Sequence, residues 1–213
     1  MIKTLIVSGG NVEDNILTNF KNEFNYVIAS DRGLEELDKY NIVPNYIIGD
    51  FDSIDKEILN KYIKNKDIKI MELNPEKDYT DTHMALKLAI ELKSTSIIII
   101  GAIGTRLDHT IANIHILKEA LDENIECRII DSRNEIQLLN KRTILKLDDN
   151  YKYISLIPLT TEVKGITLQG FKYSLEDDTL EIGHSIGVSN EQIEEKAEID
   201  LKEGILILIR SKD

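Results

Sequence analysis

Residues 97–109 read Ile97-Ile98-Ile99-Ile100-Gly101-Ala102-Ile103-Gly104-Thr105-Arg106-Leu107-Asp108-His109. Four β-branched residues in a row show no alternation, the pattern of a strand covered on both faces. A glycine-bearing turn follows, and then Leu107, Ile111, Ile114, Leu117 and Leu121 recur at helical spacing. A doubly buried strand that runs straight into a helix is half of a βαβ unit, so it predicts a parallel sheet between helices.

The same alternation extends to both sides. Upstream, residues 2–8 read as a strand, and Val12, Ile16, Phe20 and Phe24 then recur every four residues, as on one helix face. Residues 26–30 are a second strand, followed by a helical stretch through Leu34 and Leu37. Residues 46–49 are a third, with Ile54, Ile58 and Tyr62 marking the next helix. Residues 68–73 are a fourth, and Met84, Leu88 and Leu92 stripe a helix over 80–93. Downstream, residues 126–131 return to strand. Near residue 135 the character changes to short β-rich runs at 136–139, 143–147, 153–159, 165–168, 179–182, 193–201 and 205–209. Turn chemistry such as Asp148-Asp149-Asn150 and Glu176-Asp177-Asp178 separates them. The expectation is two domains: a mostly parallel α/β/α sheet domain over 1–135 and an antiparallel β-sandwich over 136–213.

Composition bounds the chemistry. The chain has 213 residues, with 26 Lys+Arg against 38 Asp+Glu and a net charge of −12. That surface repels a polyanion, so nucleic acid is not an expected partner. A small anion remains compatible, because a divalent cation held by carboxylates can bridge protein and phosphate. A cationic substrate would suit the acidic balance. Cys127 is the sole cysteine, which excludes an intrachain disulfide and a Cys-rich zinc site. The apolar start is too short for a signal peptide, and no run approaches 18 apolar residues. A cytoplasmic protein without membrane partners is expected.

Ligands of open α/β sheets gather beyond the carboxyl ends of the strands. Those ends here carry Asp31-Arg32-Gly33, Gly49-Asp50-Phe51-Asp52-Ser53, Lys77-Asp78-Tyr79-Thr80-Asp81 and the stretch from Gly101 to His109. With Asp108, six aspartates share one rim. Any one could be a helix cap: Asp52 or Ser53 for the helix from Ile54, Asp78 or Thr80 for the helix through Met84. Asp50 and Asp52 are two apart, which in an extended segment aims both carboxylates the same way; Asp78 and Asp81 are three apart at a helix start. Crowded carboxylates repel unless a cation neutralises them, and an all-oxygen set suits Mg²⁺ together with substrate phosphates. Gly101 and Gly104, between strand and helix, allow close backbone approach to phosphate, and Arg106 offers a bidentate fork. Neither GxxxxGK[ST] nor GxGxxG occurs.

Other residues carry less. His83, His109, His115 and His184 lack metal-site spacing and suit helix-surface or core roles, with His109 beside Asp108 the one to watch. Cys127 reads as buried filling. Asn113 interrupts an apolar helix face, either as a satisfied polar residue or as a nucleotide contact. Residues 183–190 are a small, polar strand pair: a bulged hairpin, or a hydrogen-bonding wall for a heteroaromatic ring. Tyr173 either stacks on such a ring or covers an edge.

Together these motifs resemble the thiamine pyrophosphokinase (thiamine diphosphokinase) family, in order and across nearly the whole chain. The set GDFDS, KDxTD and RLDH carries most of the specificity. The resemblance implies an α/β catalytic domain, a β-sandwich that binds thiamine, Mg²⁺, and a homodimer whose active sites are shared between chains. It implies transfer of the diphosphoryl group of ATP to the hydroxyl of thiamine, giving thiamine diphosphate and AMP. By resemblance, Asp50, Asp52 and Asp78 hold Mg²⁺ with help from Asp81, and Arg106 holds phosphate. Asp31, Gly101, Gly104, Asp108 and Asn113 join Arg106 at ATP, and Tyr173, Ser189 and Asn190 bind thiamine. Asp81 or Asp78 takes or orients the hydroxyl proton. The chain departs from the family at Arg32 and Thr105, where Gly is common, and at Tyr173, where some members carry Trp. Two other classes fit the same aspartates: a Mg²⁺-dependent phosphoesterase of a small phosphorylated metabolite, and a binding module without turnover.

Overall fold

The computed structural model describes residues 1–13, 16–20, 23–74 and 78–213. It divides into two compact units, Met1–Ser132 and Arg133–Asp213; the border falls three residues before the one expected. The second unit opens with a strand at Asn134, so Asn134 and Glu135 belong to that strand.

In unit 1 the order is β1 (Lys3–Val7), β2 (Tyr26–Ser30), α1 (Gly33–Lys39), β3 (Tyr46–Gly49), α2 (Lys56–Ile63), β4 (Lys69–Glu72), α3 (Asp81–Glu91), β5 (Ser96–Ile100), α4 (Leu107–Asp122) and β6 (Glu126–Ile130). The strands lie in the order β4-β3-β2-β1-β5-β6, every pair parallel. The isoleucine run of β5 is buried on both sides, as its lack of alternation requires. Leu5, Val7, Ala29, Ile47, Ile98 and Ile100 face α1 and α2 in one core with Leu34, Leu37 and Tyr62. By the two-residue period, Ile6, Ile28, Ile48, Ile97 and Ile99 line the opposite face, on which α3 and α4 pack.

Three expectations change. Of the helix expected from Val12 to Phe24, the described residues show a 3-10 turn at Leu17–Phe20, and positions 14, 15, 21 and 22 lie outside them. Leu17, Ile16 and the tilted Phe20–Phe24 ring pair still reach the core, because a four-residue recurrence is also satisfied by an irregular segment draped over a sheet. On α3, Met84 and Leu88, with Leu92 at the C-cap, are half-buried, whereas Ala85, Leu86 and Ala89 form the seam. On α4, Leu107 and Ile111 are 71% and 54% exposed, while Leu117 is buried as expected, together with Asn113 and Ala120. Small residues at the seam let a helix axis come close to the sheet, so the largest apolar side chains need not mark the buried face.

Helix α2 is capped by Asp55, whose Oδ1 accepts from the N–H groups of Glu57 and Ile58 at 2.7 and 3.3 Å. Helix α3 is capped by Thr80, whose Oγ1 accepts from His83 N–H at 3.2 Å. Capping therefore falls to Asp55 and Thr80, not to Asp52, Ser53 or Asp78.

Unit 2 comprises β7 (Asn134–Leu139), β8 (Thr143–Lys146), β9 (Tyr153–Pro158), β10 (Glu162–Gln169), β11 (Leu175–Glu181), β12 (Lys196–Asp200) and β13 (Leu206–Ser211). Two antiparallel sheets, β7-β13-β9 and β11-β10-β12-β8, share one core. Leu139, Ile154, Leu156, Leu206 and Leu208 come from the first, and Leu145, Val163, Ile166, Leu168, Leu180 and Ile199 from the second. This is the expected sandwich. Glu176-Asp177-Asp178, expected as a turn, lies inside β11, an edge strand with register shifts against β10. A charged, bulged edge resists pairing with a second chain, which explains acidic residues there without a turn.

Candidate active site

The strand order reverses direction beside β1. The chain lays down β2, β3 and β4 on one side of it, then returns to place β5 and β6 on the other. Loops diverge at such a switch point and leave a crevice. A cleft of about 280 Å³ lies there. It is lined by Ser8, Gly9 and Gly10 after β1, Ser30 and Asp31 after β2, and Thr80, Asp81 and Thr82 at the start of α3. Gly101, Ala102, Gly104, Thr105 and Arg106 follow from β5, with His109 and Asn113 from α4.

Its floor is two interlocked loops. Ser8 and Gly10 donate their N–H groups to Ile100 and Gly101 oxygens at 2.8 and 2.9 Å. Gly101 has φ +71°, and a Cβ on it would stand 2.4 Å from Ser8 O; a Cβ on Gly10 would stand 2.3 Å from Gly101 O. Both glycines are required by this approach. Gly104 is not, since a Cβ there would meet nothing closer than 3.9 Å. Its N–H donates to Thr110 Oγ1 at 3.3 Å. At the start of α4, Arg106 makes no side-chain cap, and the Asp108 carboxylate takes a main-chain hydrogen bond from His109 in the first turn, where a bound anion would compete with it.

The expected site residues fare differently. Asp31 takes φ +50°, is half-buried, and accepts from Ser53 Oγ on both carboxylate oxygens at 2.7 and 2.8 Å. Burial pushes its carboxyl above the usual range against the Ser53 hydrogen bond, and the charges of Asp81 and Asp50 push the same way. Asp31 thus lies within the field of both Asp81 and Asp50. The segment through Asp50 and Asp52 is not extended: Phe51 has φ +62°, and Asp52 N–H folds back onto Asp50 Oδ1 at 3.1 Å. A two-residue spacing therefore does not align the two carboxylates here. Asp52 and Asp78 are exposed, and neither lines the cleft. Lys77 lies outside the described residues. Among the described residues, no three His, Cys, Asp or Glu side chains converge as a preformed metal site.

Arg106 points its fork at Asp108, Nε to Oδ1 at 3.2 Å and Nη2 to Oδ2 at 2.6 Å, which holds the Asp108 carboxyl below its ordinary range. Asn113 is buried and donates through Nδ2 to Ala102 O at 2.8 Å, so it is a satisfied polar residue that also borders the cleft. Cys127 is buried filling, its thiol pushed far up by burial. Ser8, Gly9, Gly10 and Thr82 were not anticipated from the sequence. The strand-end rule applied to β1 would have found the first three, and Thr82 donates to Ser8 Oγ at 3.0 Å.

In unit 2, Tyr173 is 61% exposed on the β10–β11 connection. Ser189, with φ +61°, donates its N–H to Ser155 Oγ at 3.1 Å. Asn190 is buried, with its amide on the main chain of Tyr173. The segment is pinned on β9 through Leu156 N–H to Gly187 O, and a Cβ on Gly187 would stand 2.2 Å from Leu156 O.

Comparison with known proteins gives concordant results. The family model "thiamin pyrophosphokinase, catalytic domain" matches residues 17–129, and "thiamin pyrophosphokinase, vitamin B1 binding domain" matches 141–206. Thiamine pyrophosphokinase of Bacillus subtilis (strain 168) is 34% identical over 215 residues, covering all of both chains. Thiamin pyrophosphokinase 1 of Caenorhabditis elegans is 30% identical over 185 residues, covering 81% of this chain and 74% of that one. The crystal structure of the Bacillus subtilis protein matches with a TM-score of 0.92 at 35% identity, covering 99% of each chain. That of thiamin pyrophosphokinase from Geobacillus thermodenitrificans gives 0.89 at 31%, covering 100% of this chain and 98% of that one.

Proposed function

The chain belongs to the thiamine pyrophosphokinase family, and from that premise we propose how its own residues carry the transfer of a diphosphoryl group from ATP to the hydroxyl of thiamine. The products are thiamine diphosphate and AMP. The observation that carries the reading is the cleft at the β1/β5 switch point, with Asp31, Asp81 and Arg106 at its wall. The phosphoesterase alternative finds no support in the comparisons.

Attack occurs at the β-phosphorus, so charge grows there and on the departing AMP oxygen, and positioning with electrostatics supplies most of the rate. Gly101 and Ala102 let the nucleotide approach the backbone, and Arg106 and His109 at the start of α4 border the place of its phosphates. Arg106 exchanges Asp108 for phosphate oxygens, which its fork can hold in the same bidentate way. Asp31, Gly104, Asp108 and Asn113 complete the nucleotide side. Asp81 borders the cleft and Asp78 does not, which favours Asp81 as acceptor of the hydroxyl proton.

The donor set is all carboxylate oxygen, which fits Mg²⁺. That ion is held by one or two carboxylates plus substrate phosphates more often than by an all-protein cage, so the lack of a preformed triad among the described residues is compatible with it. Asp50, Asp52 and Asp78 would hold it, with Asp81 assisting. When bound, it neutralises phosphate charge during transfer. Thiamine, a thiazolium cation, stacks on Tyr173 beside Ser189, and the −12 net charge of the chain favours its approach.

We further read the enzyme as a cytoplasmic homodimer with sites built from both chains. No described helix is long and apolar enough to cross a membrane. The test of function is incubation with ATP, Mg²⁺ and thiamine. AMP and thiamine diphosphate should appear one for one, and stop on chelation. ADP with thiamine monophosphate would overturn the diphosphoryl reading.

A further inference from the structure

Two connections of unit 2 run side by side: 170–174, between β10 and β11, and 182–195, between β11 and β12. Ile193 N–H donates to Gly170 O at 2.9 Å, Phe171 and Gln192 form a bridge, and Lys172 N–H donates to Glu191 O at 2.9 Å. One step further, Tyr173 stands opposite Asn190. There the main chain cannot continue the pairing, because Asn190 N–H and C=O are both taken by Ile154 of β9, at 2.9 and 2.8 Å. The side-chain amide continues it instead. Oδ1 of Asn190 accepts from Tyr173 N–H at 3.0 Å and from Glu191 N–H at 2.9 Å, while Nδ2 donates to Tyr173 O at 2.7 Å.

Asn190 thus acts as an extra peptide group. It is 9% exposed, while the Tyr173 side of the clamp opens to solvent. The chemistry needs an acceptor and a donor on one short stem. Aspartate would set a carboxylate oxygen against Tyr173 C=O, and alanine would leave two N–H groups and a carbonyl unpaired. Lys172 supports the same loop, pairing with Glu191 at 2.9 Å and lying 5.6 Å from the Tyr173 ring centroid.

We infer that Asn190 is a positioning residue: its carboxamide fixes the main chain that presents the Tyr173 ring, and it acts on thiamine through that ring and not by contact. This rests on the reading of Tyr173 as a thiamine contact.

A double-mutant cycle tests it, with Tyr173→Ala, Asn190→Ala and the double variant compared for KM of thiamine, KM of ATP and kcat. Asn190→Ala should raise the thiamine KM about tenfold, leave the ATP KM within about twofold, and add nothing in the Tyr173→Ala background. Asn190→Asp, which keeps both accepted bonds but sets an acceptor against Tyr173 C=O, should also raise the thiamine KM, again silent without Tyr173. It serves if the alanine variant fails to fold. Undiminished effects in the Tyr173→Ala background would make Asn190 a direct ligand and overturn the proposal. So would a thiamine KM unmoved by either Asn190 variant while Tyr173→Ala raises it. A thiamine KM unmoved by Tyr173→Ala itself would instead reject the underlying reading of Tyr173, and this role with it.

Discussion

Asp31 concentrates two costs in one side chain: a left-handed backbone at φ +50° and a carboxylate partly withdrawn from water next to Asp81 and Asp50. Its carboxyl has a higher pKa in the fold than the ordinary 3.8. The stability linked to a raised pKa is complete below the unfolded value and is lost as pH rises through the folded one. In chelator-treated buffer, Asp31→Asn should therefore melt higher than the parent at pH 7, with the gap closing as pH falls towards 4. Asparagine also tolerates the left-handed conformation and keeps an acceptor for Ser53. Turnover should fall at the same time, the usual trade at a site that stores repulsion. A melting temperature that drops at pH 7 would contradict this. Asp52→Asn separates ligand from cap in the same way: Asp55 already caps α2, so the melting temperature should hardly move while turnover falls by orders of magnitude. Near-normal turnover in both Asp50→Asn and Asp52→Asn would reject them as metal ligands. At this scale the sequence was legible in residue type and not in geometry. The positive φ of Phe51, which turns Asp52 back towards Asp50, leaves no mark in a run written GDFDS.

Elements were more legible than their faces. A run of isoleucine specifies β5 because a lack of alternation suits a strand covered on both faces, and the polar residues at the strand ends then stand out. The buried side of α3 differs from the striped one, because two of the three seam residues, Ala85 and Ala89 beside Leu86, carry no strong hydrophobic signal. Substitution can show which face is packed. Ala89→Leu should cost about 1–3 kcal/mol by overpacking, whereas Met84→Ala on the half-buried flank should cost about 1 kcal/mol or less. The reverse order in urea denaturation would restore the periodic stripe. Helix α3 is also tied to α4: His83 Nε2 lies 2.8 Å from Glu119 Oε1, and the His83 ring meets Tyr79 edge-on at 4.7 Å. That tie steadies the turn carrying Asp78 and Asp81. His83→Ala should lower the melting temperature by about 2–4 °C, the effect of one lost hydrogen bond in a domain of this size, and raise the Mg²⁺ needed for half-maximal rate. His83→Gln, which can still reach Glu119, should recover most of both. Equal behaviour of the two variants would leave the tie without a role.

Across the whole molecule, the residues proposed for the chemistry divide between units. The carboxylates and Arg106 belong to Met1–Ser132, while Tyr173, Ser189 and Asn190 belong to Arg133–Asp213. The change of character near residue 135 made the two-unit organisation readable, since helical periodicity stops there and short strands begin. Which chain completes which site has no such signature, because a two-fold axis places residues together that the sequence never relates. In the proposed homodimer each site takes its aspartates from one chain and its Tyr173 from the other, so the site occurs twice, each copy mixing both subunits. Asp52→Asn and Tyr173→Ala, each nearly inactive at low thiamine, can be unfolded together and refolded as mixed dimers. With sharing in trans, one site of each mixed dimer collects both defects and the other collects none. Random pairing of equal amounts should then restore about a quarter of the wild-type sites, since half the dimers are mixed and half of their sites are intact. If each site is built within one chain, every site keeps a defect and mixing restores nothing. Mixed dimers confirmed by mass but silent in turnover would therefore reject the shared site, and would leave the proposal of a nucleotide cleft at the β1/β5 switch point untouched.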